Sequence, residues 1–211
     1  QFSTDYCDLW ILKLDFQGNL LWENMTGEMT GDKPWAMSSH PDGGYILAGI
    51  STSTNQNTIF RIDENGKEIW RTYLGANIEH KKVSVEGTRD GGIIFGGTLS
   101  NLSGKATTRF LLVKLDDRGS QIWADTLGKS YSQEAYDVLE TADGGFIIIG
   151  SSHRPGTRNN DMCIIKTDNA GKVQWSKWYE APAVQIAYTI QKTRDNGFII
   201  AGTTNNAGSV Y

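Results

Sequence analysis

Four copies of one pattern, an acidic turn followed by glycine and an apolar run, divide this chain into units of a single kind. They are Asp42-Gly43-Gly44-Tyr45-Ile46-Leu47-Ala48-Gly49, Asp90-Gly91-Gly92-Ile93-Ile94-Phe95-Gly96-Gly97, Asp143-Gly144-Gly145-Phe146-Ile147-Ile148-Ile149-Gly150 and Asp195-Asn196-Gly197-Phe198-Ile199-Ile200-Ala201-Gly202. In each copy an aspartate able to accept local backbone N–H groups precedes Gly-Gly or Asn-Gly, which supplies positive φ, and a strand-forming run follows. This is hairpin chemistry. A second pattern, Asp-x-x-Gly-x-x-x-Trp, runs through Asp15-Gly18-Trp22, Asp63-Gly66-Trp70, Asp116-Gly119-Trp123 and Asp168-Gly171-Trp175. Successive tryptophans are 48, 53 and 52 residues apart, and so are the aspartates that open the glycine turns. Two markers with one set of spacings define a true internal repeat, and a repeat fixes the fold before any single element does.

Within the first cycle, strands are predicted at Leu9 to Leu14, Leu20 to Trp22, Trp35 to Ser39 and Tyr45 to Ile50, before Thr58 to Asp63 begins the next. No segment keeps a 3.6-residue apolar period, so no helix is expected. Four short strands in about 50 residues make the blade of a β-propeller, a small antiparallel sheet packed face to face on its neighbours. Consecutive apolar residues at Phe146 to Ile149 fit a sheet covered on both faces. The glycine ending each such strand (Gly49, Gly97, Gly150, Gly202) is expected to allow close backbone approach between blades. The chain reads as one all-β domain, 1–211, in cycles of about 7–57, 58–108, 109–161 and 162–211.

The combination Lys-Leu-Asp-x-x-Gly-x-x-x-Trp followed by Asp-Gly-Gly-Tyr-Ile-x-Ala-Gly resembles the repeats of bacterial secreted β-propellers found in surface proteins of the Bacteroidetes, distantly similar to PQQ-type Trp-docking propellers. By that analogy strand A precedes the glycine turn, B follows it, C carries the Lys-Leu-Asp and D the tryptophan. The chain then begins with C and D and ends with A and B. Residues 7–23 and 186–204 can complete one blade together, so a closed ring of four blades is expected, because closure removes open strand edges. The competitor is a partial ring, cut from a longer propeller or completed by a second chain to give eight blades. The resemblance also implies an exported, extracellular or cell-surface protein.

Composition narrows the partners. A net charge of -4, from 20 basic and 24 acidic residues without long runs, gives no reason to expect nucleic acid or an anionic membrane. No apolar run approaches the roughly 18 residues of a membrane helix, so no direct membrane insertion is expected. Cys7 and Cys163 fall at different repeat offsets and read as two buried, unpaired thiols.

Catalytic patterns are not found. His40, His80 and His153 lie in different repeats without metal-ligand spacing. His40 replaces a threonine (Thr88, Thr141, Thr193), which suggests a role on a strand surface. No nucleophile motif appears, and paired acid and base carboxylates cannot be picked out by spacing. The sequence therefore predicts no enzyme, no metal and no cofactor. Trp22, Trp70, Trp123 and Trp175 read as packing devices between blades, and Gly44, Gly92, Gly145 and Gly197 as turn residues. Lys13, Arg61, Lys114 and Lys166, each two positions before a turn aspartate, read as repeated salt bridges or snorkelling stems rather than a ring of cations.

What varies between repeats are the D–A and B–C connections, expected on one face. They hold Trp178, Tyr179, Tyr131, Tyr73, His80, His153, Arg154 and Arg158. Aromatics and arginine are enriched at binding hot spots, so this long-loop face is the expected site for a protein partner in a surface or outer-membrane assembly. Carbohydrate recognition is the alternative, and a loop-assembled glycan hydrolase a third. Asp125-Thr126-Leu127 looks like a Bacteroidetes O-glycosylation motif, which makes Thr126 a candidate glycan site.

Overall fold

The computed structural model describes residues 9–26, 32–51, 54, 56–75, 78, 83–100, 107–128, 132–153, 160–180 and 183–205. Among these there is no helix. The strands are β1 (Leu9–Leu14), β2 (Leu20–Thr26), β3 (Asp32–Ser39), β4 (Tyr45–Ser51), β5 (Gln56–Ile62), β6 (Glu68–Tyr73), β7 (Ser84–Gly87), β8 (Ile93–Leu99), β9 (Arg109–Leu115), β10 (Gln121–Leu127), β11 (Ser132–Glu140), β12 (Phe146–His153), β13 (Asn160–Thr167), β14 (Val173–Tyr179), β15 (Gln185–Lys192) and β16 (Phe198–Thr204). They form three four-stranded antiparallel sheets, β3–β6, β7–β10 and β11–β14, flanked by the hairpins β1–β2 and β15–β16. Each complete sheet joins the A and B strands that end one sequence cycle to the C and D strands that begin the next, in A, B, C, D order.

The turns obey the chemistry of their residues. In the Asp-x-x-Gly hairpin, Asp63 Oδ1 accepts the amides of Asn65 and Lys67 at 2.8 and 2.9 Å, and Gly66 takes φ +79°. In the glycine turns the left-handed residue is the first of the pair: Gly43, Gly91 and Gly144, with Asn196 at φ 63° in the last copy. Of the second glycines, Gly44 alone has positive φ; what the pattern needs there is room. A Cβ on Gly145 would lie 2.1 Å from the Thr167 carbonyl oxygen, and one on Gly92 2.4 Å from that of Leu115, so strand C leaves space only for hydrogen. The glycines ending strand B correct an expectation in part. At Gly49, Gly150 and Gly202 the nearest approach is to a strand A carbonyl of the same sheet (Lys33, Glu134, Ile186), beside a register shift; at Gly150 a Cβ would also lie 2.9 Å from the Phe110 ring of the neighbouring sheet.

Four apolar layers stack the sheets in sequence order. Leu9 and Ile11 meet Leu47, Phe60 and Ile62; Ile46 and Ile59 meet Val85 and Phe95; Ile94 and Phe110 meet Val138 and Ile148; Ile147 and Ile164 meet Ala187 and Ile190. Closure into a ring is not shown. Among the described residues, the β1–β2 and β15–β16 hairpins stand as separate two-stranded sheets, with no strand paired to the strand C edge at β1 or the strand B edge at β16.

Candidate functional site

Two of the residues expected on the long-loop face lie on one strand. Trp178 and Tyr179 belong to strand β14, where they pair with Cys163 and Met162. Trp178 turns into the layer between the β7–β10 and β11–β14 sheets, packing on the cluster that holds Phe110 and Ile148. Partial burial of its indole there takes it out of the expected binding face, while Tyr179 is exposed. Tyr73, at the end of β6, is also exposed. Tyr131, His80, Arg154 and Arg158 lie outside the described residues, as does Cys7. His153 is exposed and within 3.2 Å of Asn160 Oδ1. Thr126 is exposed on β10, the outermost strand of its sheet. Cys163 is free and buried, and burial pushes its thiol up to about 12.

His40 is not on a strand surface. It is buried, with Nε2 2.9 Å from the Gly91 carbonyl of the next sheet and Nδ1 accepting the Asp42 amide at 3.1 Å. The basic residues of strand C reach under their own glycine turns. Lys114 Nζ lies 3.0 Å from Asp90, Lys166 Nζ 3.0 Å from Asp143, and Arg61 donates to the Gly43 carbonyl. The Thr141 hydroxyl, the Lys166 ammonium and the Gly145 amide hold Asp143 down to about 2, against the pull of burial. Among the described residues, no group of three His, Cys, Asp or Glu side chains could hold a metal.

The inner strands β3, β7, β11 and β15 together line a cavity of about 370 Å3. Its carboxylates are stitches between sheets. Asp137 Oδ1 accepts the Ser84 hydroxyl at 2.6 Å and Oδ2 the Ile190 amide at 2.9 Å, while Glu86 accepts the Glu140 amide at 2.6 Å and faces Lys192 Nζ at 3.4 Å. Burial raises the Glu86 carboxyl despite that amide and ammonium. These residues were missed in the sequence, where the signals were acids at positions that the other repeats leave uncharged: Asp137 against Ala36, Ser84 and Thr189, and Glu86 against Ser38, Leu139 and Gln191.

The surface that departs from the repeat lies at the two ends. Leu12 is 45% exposed on β1, whereas Phe60, Val113 and Ile165, at the same repeat position, are at most 3% exposed. Met37 is 63% exposed against at most 5% for Val85, Val138 and Ile190, and Ile199 is 62% exposed against at most 1% for Ile46, Ile94 and Ile147. Trp10, Leu12, Trp35 and Met37 line an apolar groove of about 360 Å3 between β1 and β3.

The tryptophan series breaks at the same place. A Cβ on Gly66 would lie 2.6 Å from the Trp22 indole, on Gly119 2.6 Å from Trp70, and on Gly171 3.0 Å from Trp123, each pair bridging neighbouring sheets. The indoles of Trp22 and Trp70 also donate to the turn carbonyls of Glu64 and Asp117. Gly18 has nothing within 4 Å, and Trp175, the fourth tryptophan, is 37% exposed. Gly197 likewise lacks the strand C carbonyl that crowds Gly44, Gly92 and Gly145.

No family model and no curated protein sequence matches the chain. Among solved structures it is similar to the hydrazine synthase of Kuenenia stuttgartiensis, with a TM-score of 0.61 at 14% identity, over 90% of this chain and 48% of that one. The chain thus spans about half the length of that match. The GH43 endo-arabinanase from Bacillus licheniformis aligns with a TM-score of 0.41 at 11% identity, over 74% of this chain and 61% of that one. Likenesses at such identities concern the fold alone, here all-β and propeller-like. The hydrazine synthase is an enzyme by name, so a fold of this kind is found in enzymes and the expectation of no enzyme does not stand. A sequence without a recognisable catalytic pattern does not set it apart from folds that carry catalysis.

Proposed function

We propose that the chain is a propeller-type interaction module that joins a protein partner through its blade ends, the surface carrying Trp10, Leu12, Leu14, Met37, Trp175 and Ile199. The observation that supports this is the contrast at matched repeat positions, buried where a neighbouring sheet covers them and bare where none does. Clustered apolar exposure of that kind marks an association surface. The ring expected from the sequence would close when the β1–β2 and β15–β16 halves each gain their complement. Placement in an exported, surface or outer-membrane assembly follows from the repeat resemblance and belongs to the same proposal. The test is capture from the source organism with wild-type chain and a Leu14→Glu/Phe16→Glu variant as bait. A partner held by wild type and lost by the variant is expected; one held equally by both overturns the reading.

A further inference from the structure

We infer that the occupant of both ends is a second copy of this chain, two copies joining β16 to β1 at two equivalent seams to close a ring of eight blades. This rests on the reading of the ends as the association surface. Each copy carries three complete sheets and two complementary halves, an A–B hairpin ending in a bare strand B and a C–D hairpin beginning with a bare strand C. In every complete sheet, B pairs with C in one register: Tyr45 opposite Ile62, Ile93 opposite Leu115, Phe146 opposite Thr167. Carried to the seam, that register sets Phe198 opposite Leu14, Ile199 opposite Lys13 and Ile200 opposite Leu12.

Three further features of the seam each lack one partner that the incoming copy supplies. Trp175 of one copy continues the tryptophan series onto Gly18 of the other, where the space is empty. Lys13 gains Asp195 as Lys114 has Asp90 and Lys166 has Asp143; in the single chain its ammonium reaches the Glu64 carbonyl at 3.4 Å. The apolar groove beside β1 receives Ile199 against Met37 and Leu47, as Ile46 packs in the layer with Val85 and Phe95. One copy holds both halves yet leaves them apart. Bringing them together within it would bend four packed layers at once, and close-packed interiors resist such deformation. A second copy completes both ends and leaves those layers as they are. Strand addition of this sort satisfies the edge hydrogen bonds and buries alternate side chains in one step.

Two experiments on the purified full chain decide it. In sedimentation velocity, wild type is expected to be a dimer, and Gly18→Asn should weaken that dimer at least tenfold. Asparagine suits the turn, since Asn196 adopts φ 63° in a glycine turn of this chain, and Gly18 has free space in the single copy, so the melt of dilute Gly18→Asn should match wild type. A wild type that stays monomeric at every concentration, or a Gly18→Asn chain that dimerises equally well, overturns the proposal. In the second experiment, Lys13→Cys and Ile199→Cys are combined with Cys7→Ser; Cys163 is buried with its thiol pushed up to about 12 and stays silent. Directly opposed strand positions lie within disulfide reach. A disulfide linking differently tagged copies is expected. One formed inside a single copy shows self-closure and overturns the second-copy seam, and no disulfide at all does the same. Loss of the seam with a partner still captured through Leu14 and Phe16 would leave the broader reading standing.

Discussion

Trp70 lies across Gly119: a Cβ on the glycine would sit 2.6 Å from the indole, whose Nε1 donates to the Asp117 carbonyl at 2.9 Å. The pair explains why tryptophan and glycine recur at one spacing. The strands carrying Trp22, Trp70 and Trp123 each lie against the C–D turn of the next sheet, and only a turn without a side chain admits the ring. Gly119 is needed twice, for that contact and for φ +79°, whereas Gly18 at φ +87° is needed for its backbone alone. Gly18→Ala should therefore cost about 1–2 kcal/mol, the strain of a left-handed alanine. Gly119→Ala adds displacement of a packed indole and should cost at least about 3 kcal/mol. Equal losses in urea melts of dilute protein would remove the docking contact from the argument.

The tryptophans themselves divide in the same way. Trp70→Ala and Trp123→Ala empty an inter-sheet layer, and truncations of that kind cost about 3–5 kcal/mol. Trp175 packs in none of the four apolar clusters. Trp175→Ala should cost about 1 kcal/mol or less in the single copy, as ordinary surface substitutions do. A Trp175→Ala melt as damaged as that of Trp70→Ala would show that the fourth tryptophan is already docked.

His40 makes stability depend on pH near neutrality. Its neutral ring accepts the Asp42 amide on Nδ1 and donates from Nε2 to the Gly91 carbonyl, and burial holds it below its ordinary value of 6.5. A proton on Nδ1 would face the Asp42 N–H. The unfolded chain takes that proton up first, so stability is full above 6.5 and is lost as pH falls through the unfolded value toward the folded one. His40→Thr, the residue of the other repeats, should flatten this part of the profile. Thermal melts of both proteins between neutral and mildly acid pH check it, and identical slopes would sink the assignment.

The repeat made most of the fold legible. Turn residues and apolar runs are local, so the strands and their order could be read from them directly, as the β11–β14 sheet illustrates. Sites were harder, because placement depends on neighbours. Trp178 looked like a loop residue by its distance from Trp175, but β14 continues to Tyr179, and the indole is drawn into an apolar layer that no single repeat contains. Asp137 and Glu86 face each other's strands only after the inner strands converge, so the sequence showed them as departures from the repeat but not what they join. The ends could be inferred as half-blades, while what completes each half depends on the stacked layers, which no single repeat contains.

The ion pair beneath the third glycine turn gives a second, lower pH window. Thr141, Lys166 and the Gly145 amide hold Asp143 at about 2, below its ordinary value of 3.8. A depressed carboxylate contributes stability that is complete above 3.8 and is lost as pH falls through 2. Asp143 itself is largely exposed, which screens the pair, while Lys166 is buried. Asp143→Asn should therefore lower the melting temperature at neutral pH by about 2–4 °C, the shift that about 1 kcal/mol produces in a chain of this size. The deficit should shrink between pH 3.8 and 2, because wild type is then losing the same charge. Parallel melts of the two proteins across that range measure it. A deficit that stays constant into acid would mean that Asp143 acts through its turn hydrogen bonds and not through its charge.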